Sequence, residues 1–298
     1  MGYRRLRFDG GVVEYVVDGP DDAPDLLLFH VGTPSAAVRH PGLVRAAAAA
    51  GMRTVVYSRG GYGRSTRRPG RTIADEAAIS AAVVDRLGHE RFFTAGWSGG
   101  GPPALACAAL LPDRVRACMT LAGIAPRFEA GPVSDAWDAP EDAAEWRRLA
   151  GSHPDPEALG YPGAVDELRR ITPHGMARDP RSHPPDRAVL LGPDGVGRAL
   201  ARSIRRAASN GWHGYFDDNV AQARDWGFRV ADIRVPVVVR QGENDRHVSV
   251  HHGRWLAATI PGARGVFLPD TGHSSVTQPW SAVIAELVAA ARTSRPRT

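Results

Sequence analysis

A serine at the crest of a sharp turn is the residue of this chain best suited to covalent chemistry. In Gly96-Trp97-Ser98-Gly99-Gly100-Gly101 an apolar run ends and a helix-like one begins, so the segment reads as strand, turn and helix with Ser98 at the apex. Glycines flank it where a β-carbon would collide with the neighbouring strand or helix, and such a turn pushes the hydroxyl outward. A serine hydroxyl is a poor nucleophile near neutral pH. It needs a base within hydrogen-bond reach and an acid that holds the base in the right tautomer. Two later segments offer them: Gly242-Glu243-Asn244-Asp245 follows the apolar run at 235–239, and Asp270-Thr271-Gly272-His273 follows the run at 264–268. Asp245 and His273 thus fall in loops after strand-like stretches, where the C-terminal edge of a parallel sheet gathers active-site groups. The Gly-x-Ser-x-Gly pattern is weak alone, and its weight depends on the elements that bring these loops together.

Those elements alternate. Residues 3–18 hold two alternating runs around Asp9-Gly10-Gly11, a hairpin signal, and short apolar runs follow at 26–30, 54–57, 91–95, 115–122, 235–239 and 264–268. Helix-like stretches at 40–50, 73–87, 103–111, 250–259 and 276–291 lie between or after them. The pattern predicts an α/β fold with an eight-stranded, mostly parallel sheet flanked by helices. From 127 to 213 the rhythm fails: strands vanish, Pro and Gly are frequent, and amphipathic pieces occur at 141–150 and 196–208. This divides the chain into a core of 1–126 and 214–298 and a helical insertion of 127–213.

Composition narrows the partners. With 298 residues, 43% of them hydrophobic, the chain can bury a large core without staples. All 37 basic residues are arginine, for a net charge of +5, but they are scattered singly or in pairs without interleaved aromatics, so no nucleic acid is expected. The charged start has no apolar stretch behind it, and no apolar run approaches the roughly 18 residues of a membrane helix. A cytoplasmic protein with no membrane contact is expected. Cys107 and Cys118 fall in apolar runs and read as small buried hydrophobes. No metal and no cofactor are expected: His251 and His252 are adjacent and cannot face one ion together, His153, His174, His183 and His213 lack a carboxylate at ligand spacing, and Gly60–Gly63 lacks the Lys of a P-loop. The polar tail at 292–298 reads as frayed.

Taken together, the segments Gly32-Thr33-Pro34, Gly61-Tyr62-Gly63-Arg64-Ser65, Gly96-Trp97-Ser98-Gly99-Gly100-Gly101-Pro102, Asp225-Trp226-Gly227-Phe228, Gly242-Glu243-Asn244-Asp245 and Gly272-His273 resemble the α/β-hydrolase superfamily, in particular its cap-bearing members from actinobacteria. The order Ser98, Asp245, His273 is the one such nucleophile-elbow enzymes show. The resemblance implies that Ser98 is the nucleophile, His273 the general acid/base and Asp245 its orienting partner, with an acyl-enzyme resolved by water. The oxyanion would be met by the amides of Gly99 and Thr33. Glu129, after the strand at 115–122, is the alternative acid. The chain departs from the family pattern twice. Val31 stands where members carry a histidine, with His30 one residue earlier, and Ser58 stands where they often carry an aspartate, so a structural carboxylate is expected to be missing.

The resemblance also implies that the insertion is a cap over the nucleophile. His30, Val31, Trp97, Trp137, Trp146, Trp212 and Tyr215 are the candidate pocket residues. The expected activity is hydrolysis of an ester or lactone, then a thioester or amide, of a small and largely apolar substrate by a monomer or homodimer. Two other readings use the same fold: a non-hydrolytic pathway enzyme (cyclase, acyl transferase or carbon–carbon lyase), and a silent ligand-binding protein. Serine at the elbow speaks against dehalogenase and epoxide hydrolase chemistry, for which the resembling families use aspartate there.

Overall fold

A computed structural model describes residues 2–293; of the tail expected to fray at 292–298, residues 292 and 293 instead end the last helix, and the rest lies outside the described residues. Eight strands form one sheet: β1 (Arg4–Phe8), β2 (Gly11–Asp18), β3 (Asp25–His30), β4 (Met52–Tyr57), β5 (Phe92–Trp97), β6 (Val115–Leu121), β7 (Val237–Gly242) and β8 (Arg264–Leu268). Their spatial order is β1-β2-β4-β3-β5-β6-β7-β8, antiparallel at β1/β2 and β2/β4 and parallel from β4 onward. Asp9 and Gly10 close the first hairpin with φ of 47° and 71°, the left-handed pair that a two-residue turn requires. The inner strands are apolar on both faces because helices cover both. One cluster packs Leu26, Leu28, Val55 and Phe92 against the helix side of Val83 and Leu105; the other packs Leu27, Phe93 and Met119 against Ile284 and Leu287.

The helices of the sheet layers are α1 (Pro41–Ala49), α2 (Asp75–Arg86), α3 (Gly101–Leu110), α11 (Val250–Thr259) and α12 (Trp280–Thr293). Between β6 and β7 the chain forms α4 (Arg127–Ala130), α5 (Pro140–Ala150), α6 (Tyr161–Arg170), α7 (Pro173–Arg178), α8 (Pro184–Leu191), α9 (Val196–Ala208) and α10 (His213–Ala223) with no strand. The boundary expected at 213/214 therefore falls at the start of a helix that runs ten residues further. Four of these helices, α5 to α8, begin with proline at their first or second position, where its missing N–H costs nothing and its fixed φ suits the helix.

Strand order matters for function. The chain winds from β3 outward to β4 and then returns to place β5 on the other side of β3. At that switch point the loops leaving β3 and β5 diverge and open a crevice. Thr33 follows β3 and Ser98 follows β5, so both belong to its rim. No helix among the described residues is long and apolar enough to cross a membrane.

Candidate active site

Ser98 has φ of +56°, a left-handed conformation that a non-glycine residue adopts at a cost and that a tight strand-to-helix turn imposes. The glycines around it answer close approaches. A β-carbon on Gly96 would strike the carbonyl of Gly100, and one on Gly100 would strike the carbonyl of His30. A β-carbon on Gly99 would collide with the Thr33 side chain, so the start of the turn and the loop after β3 lie in contact. Gly32 approaches the serine less tightly, and an added β-carbon there would come 3.2 Å from Cβ of Ser98.

Three residues beyond β7, Asp245 is buried and fully committed. Its Oδ1 accepts from the amides of His247 at 2.8 Å and Val248 at 2.9 Å, and its Oδ2 accepts from Gln241 Nε2 at 3.1 Å and faces His273 Nδ1 at 2.8 Å. Burial alone would raise its pKa, but the attraction of His273 and the hydrogen bonds from His273, Val248 and His247 hold it below the ordinary carboxylate value. Such a carboxylate is suited to accept from a proton-bearing Nδ1, the tautomer in which Nε2 of His273 keeps its lone pair. The loop of His273 is fixed as well, because Trp97 Nε1 donates to the His273 carbonyl at 2.9 Å and its ring lies 5.0 Å from the imidazole. Ser98, His273, Thr33 and Gly99 all border one cavity of about 440 Å³.

Helices α5 to α10 supply the far wall of that cavity. An apolar lobe comprises Leu168, Ile171, Met176, Leu190, Leu200 and Ile204, while Asp138, Asp142, Glu145 and Arg181 make part of the wall polar. Among the expected pocket residues, Trp97, Trp146 and Tyr215 border the cavity. The other four lie elsewhere. His30 and Val31 point into the sheet layers, where the His30 ring meets Tyr57 edge-on at 5.6 Å and Val31 joins the core. Trp137 packs on His252 and Trp255, and Trp212 stacks on His213 at 4.1 Å. Each is an aromatic or apolar group that found a partner nearer than the cavity. Glu129, the alternative acid, accepts from the Val230 amide at 3.1 Å, a partner outside the site. No group of three or more His, Cys, Asp or Glu side chains suited to a metal occurs among the described residues.

The loops at the two departures are held by other contacts. Position 58 carries no carboxylate, but one from β2 lies beside it. Glu14, fully buried, accepts from Ser58 Oγ, the Arg64 amide and Arg206 Nε, each at 3.3 Å, while Ser58 Oγ accepts from the Ala37 amide at 2.8 Å. The loop after β3, without a histidine before Gly32, is held by Arg59, which donates to the carbonyls of Val31 at 2.6 Å and Gly32 at 3.0 Å.

Sequence reasoning missed the partner of that arginine. Asp218 on α10 is buried and receives Arg59 Nη2 at 2.5 Å, Tyr62 Oη at 3.0 Å, Thr33 Oγ1 at 2.7 Å and a close ion pair from Arg71. Against burial, which would raise it, Arg59 and Arg71 drive the Asp218 carboxyl far below the carboxylate range. Thr33 Oγ1 also accepts from Arg59 Nη2 at 3.0 Å and Gln222 Nε2 at 3.1 Å, so its one proton goes to Asp218 and its lone pairs are filled. The only signal in the sequence was an acidic pair, Asp217-Asp218, on a helix flanked by aromatics.

The buried histidines predict a stability that falls in acid. Burial pushes His30 and His252 down to about 3 and His40 down to about 4, each with a smaller or no contribution from arginine. Unfolded, each takes up a proton near its ordinary value of 6.5. Their stability contribution is therefore complete above that pH and is lost on acidification until the folded state itself protonates near 3–4. Between pH 7 and pH 5 each should cost roughly 2 kcal/mol. Urea unfolding at the two pH values is expected to show a large drop at pH 5, with the drop smaller in a His40→Gln variant.

The profile of the alpha/beta hydrolase fold family matches residues 25–278, and the chain belongs to that family. Over 131 residues it is 32% identical to epoxide hydrolase B of Mycobacterium tuberculosis, a match covering 42% of this chain and 36% of that protein. The chain spans little more than a third of the length of the curated relatives it matches. Among solved structures, a hydrolase from Pseudomonas aeruginosa PA01 aligns with TM-score 0.69 and 23% identity over 97% of this chain and 98% of that one. The enol-lactonase from Burkholderia xenovorans LB400 aligns with TM-score 0.66 and 21% identity over 97% and 100% of the two chains. At these identities the structural likeness speaks for the fold alone.

Proposed function

We propose that the protein is a cofactor-independent serine hydrolase of the cytoplasm that cleaves an ester or lactone of a small, largely apolar substrate through an acyl-enzyme. The observation that carries this reading is the 2.8 Å contact of His273 Nδ1 with a carboxylate whose other acceptor positions are filled, bordering the same cavity as Ser98. Ser98 Oγ attacks the substrate carbonyl while His273 Nε2 takes its proton, and Asp245 stabilises the imidazolium without being protonated. The alkoxide that develops on the carbonyl oxygen is met by the amides of Gly99 and Thr33. Collapse expels the alcohol, which takes the proton from His273; water then attacks the acyl carbon as it gives a proton to His273, and the second collapse releases the acid while His273 returns that proton to Ser98 Oγ. Although one relative is called an epoxide hydrolase, an alkyl-enzyme of that kind calls for a carboxylate nucleophile, and this turn carries serine.

Helices α5 to α10 act as the cap in this reading, and their apolar lobe holds the acyl chain. An Ile204→Trp variant should therefore lose about tenfold in kcat/KM on a decanoate aryl ester and stay within about twofold on the acetate, as expected when an apolar pocket is shortened. A panel of aryl esters and lactones turned over in 18O-water tests the reaction itself. Solvent oxygen in the acid product is the expected result; a product lacking it would instead point to cyclisation, acyl transfer or bond rearrangement on the same residues.

A further inference from the structure

Asp186, in the first turn of α8, is 1% exposed and lies against the loop that carries His273. Its Oδ2 accepts from the amide of His273 at 3.1 Å and from that of His183 at 3.2 Å. Its Oδ1 accepts from the amides of Ser274 at 2.9 Å and Ser275 at 2.8 Å and from the Ser275 hydroxyl at 2.8 Å. Three consecutive amides, 273 to 275, thus converge on one carboxylate, the concave arrangement in which backbone N–H groups hold an anion. Ser275 Oγ also accepts from the Gly272 amide at 2.8 Å, and a β-carbon on Gly272 would collide with the Asp186 carboxylate. The whole turn 272–275 is moulded on a side chain that belongs to the helical insertion.

The base is therefore fixed from three sides. Asp245 holds its ring, Trp97 holds its carbonyl and Asp186 holds its amide together with the two amides that follow. The first two come from the sheet region, and only the third comes from between β6 and β7. We propose that Asp186 is a positioning residue for His273, through which the seating of α8 in the insertion sets the reactivity of the base. An insertion wired in this way is part of the catalytic apparatus as well as a cover for the cavity. The inference rests on the serine-hydrolase reading, in which His273 serves as base.

The neutral isostere tests it. In Asp186→Asn one acceptor oxygen becomes a donor facing backbone N–H groups, so the turn should loosen and the ring should lose its fixed position. Displacement of a reacting group by about 1 Å can cost on the order of 100-fold. The expected result, well below the melting temperature, is a 10- to 100-fold fall in kcat on an aryl acetate with KM within about threefold, and a parallel fall in the rate of inactivation by a fluorophosphonate. Amide hydrogen exchange at 273–275 should quicken. Ser275→Ala, which keeps the carboxylate and removes one donor to it together with the acceptor of the Gly272 amide, should show the same pattern at roughly three- to tenfold, and it serves if the first variant does not fold. A variant that melts earlier but keeps the wild-type kcat, inactivation rate and exchange at 273–275 overturns the proposal and leaves Asp186 a structural residue. Faster exchange at 273–275 in a protein whose wild type neither hydrolyses esters nor reacts with the phosphonate keeps the positioning contact and overturns the hydrolase reading.

Discussion

Replacing Ser98 by alanine is expected to lower kcat on a short acyl ester by at least about 10⁴-fold with little change in stability. The size follows from the interdependence of nucleophile, base and acid: removal of the nucleophile forfeits all three, and what remains comes from binding and the oxyanion donors. Stability should hold because alanine meets the same left-handed strain at φ +56° and the change removes only a half-buried hydroxyl. Burst-phase and steady-state kinetics on an aryl acetate, beside a thermal melt, check both halves. A variant that keeps a tenth of the wild-type rate would show that Ser98 is not the attacking group. His273→Ala should match it, whereas Asp245→Asn should fall by a similar order through the wrong histidine tautomer.

The largest effect on stability is expected at Asp218. Arg59 and Arg71 each have side chains 2% exposed, and the buried cluster balances two guanidinium groups against the carboxylates of Asp218 and Glu76. Asp218→Ala leaves one positive charge of that cluster buried without its partner, for which about 3–5 kcal/mol of stability is the expected loss. Because Arg59 also grips the carbonyls of Val31 and Gly32, the same change should loosen the loop that presents Thr33, so activity per folded molecule should drop as well. The pH dependence has a definite sign. A carboxylate held far below its unfolded value of about 3.9 contributes fully above that pH and loses its contribution as acid titrates the folded group. Wild-type stability should thus fall steeply below pH 4, and the fall should be shallower in the variant. Urea unfolding across pH 3–7 measures it; a loss under 1 kcal/mol at pH 7 would mean that water or another anion reaches the arginines.

The sheet and the triad candidates were legible in the sequence because each is local. Gly-x-Ser-x-Gly after an apolar run, and an acid and a histidine just beyond two later runs, announce their placement by position on the strand. The insertion was less legible. Its prolines read as breaks in helical rhythm, yet Pro140, Pro162, Pro173 and Pro184 stand at helix starts, where proline is favoured. The contacts that tie the insertion to the site were not legible at all. Asp186 meets the backbone 87 to 89 residues away, and Asp218 meets Arg59 at a separation of 159, so only the folded chain brings them together. Glu14 is a similar case: it lies beside Ser58 although 44 residues separate them, a contact that the motif after β4 does not record.

In the proposed mechanism Ser98 is the nucleophile. Incubating the 298-residue chain with a fluorophosphonate and mapping the modified peptide by mass spectrometry identifies the attacking residue. A single adduct on Ser98 is expected, abolished in Ser98→Ala and formed much more slowly in His273→Ala. An adduct on another residue, or ester turnover by a protein that the reagent leaves unmodified, would contradict it.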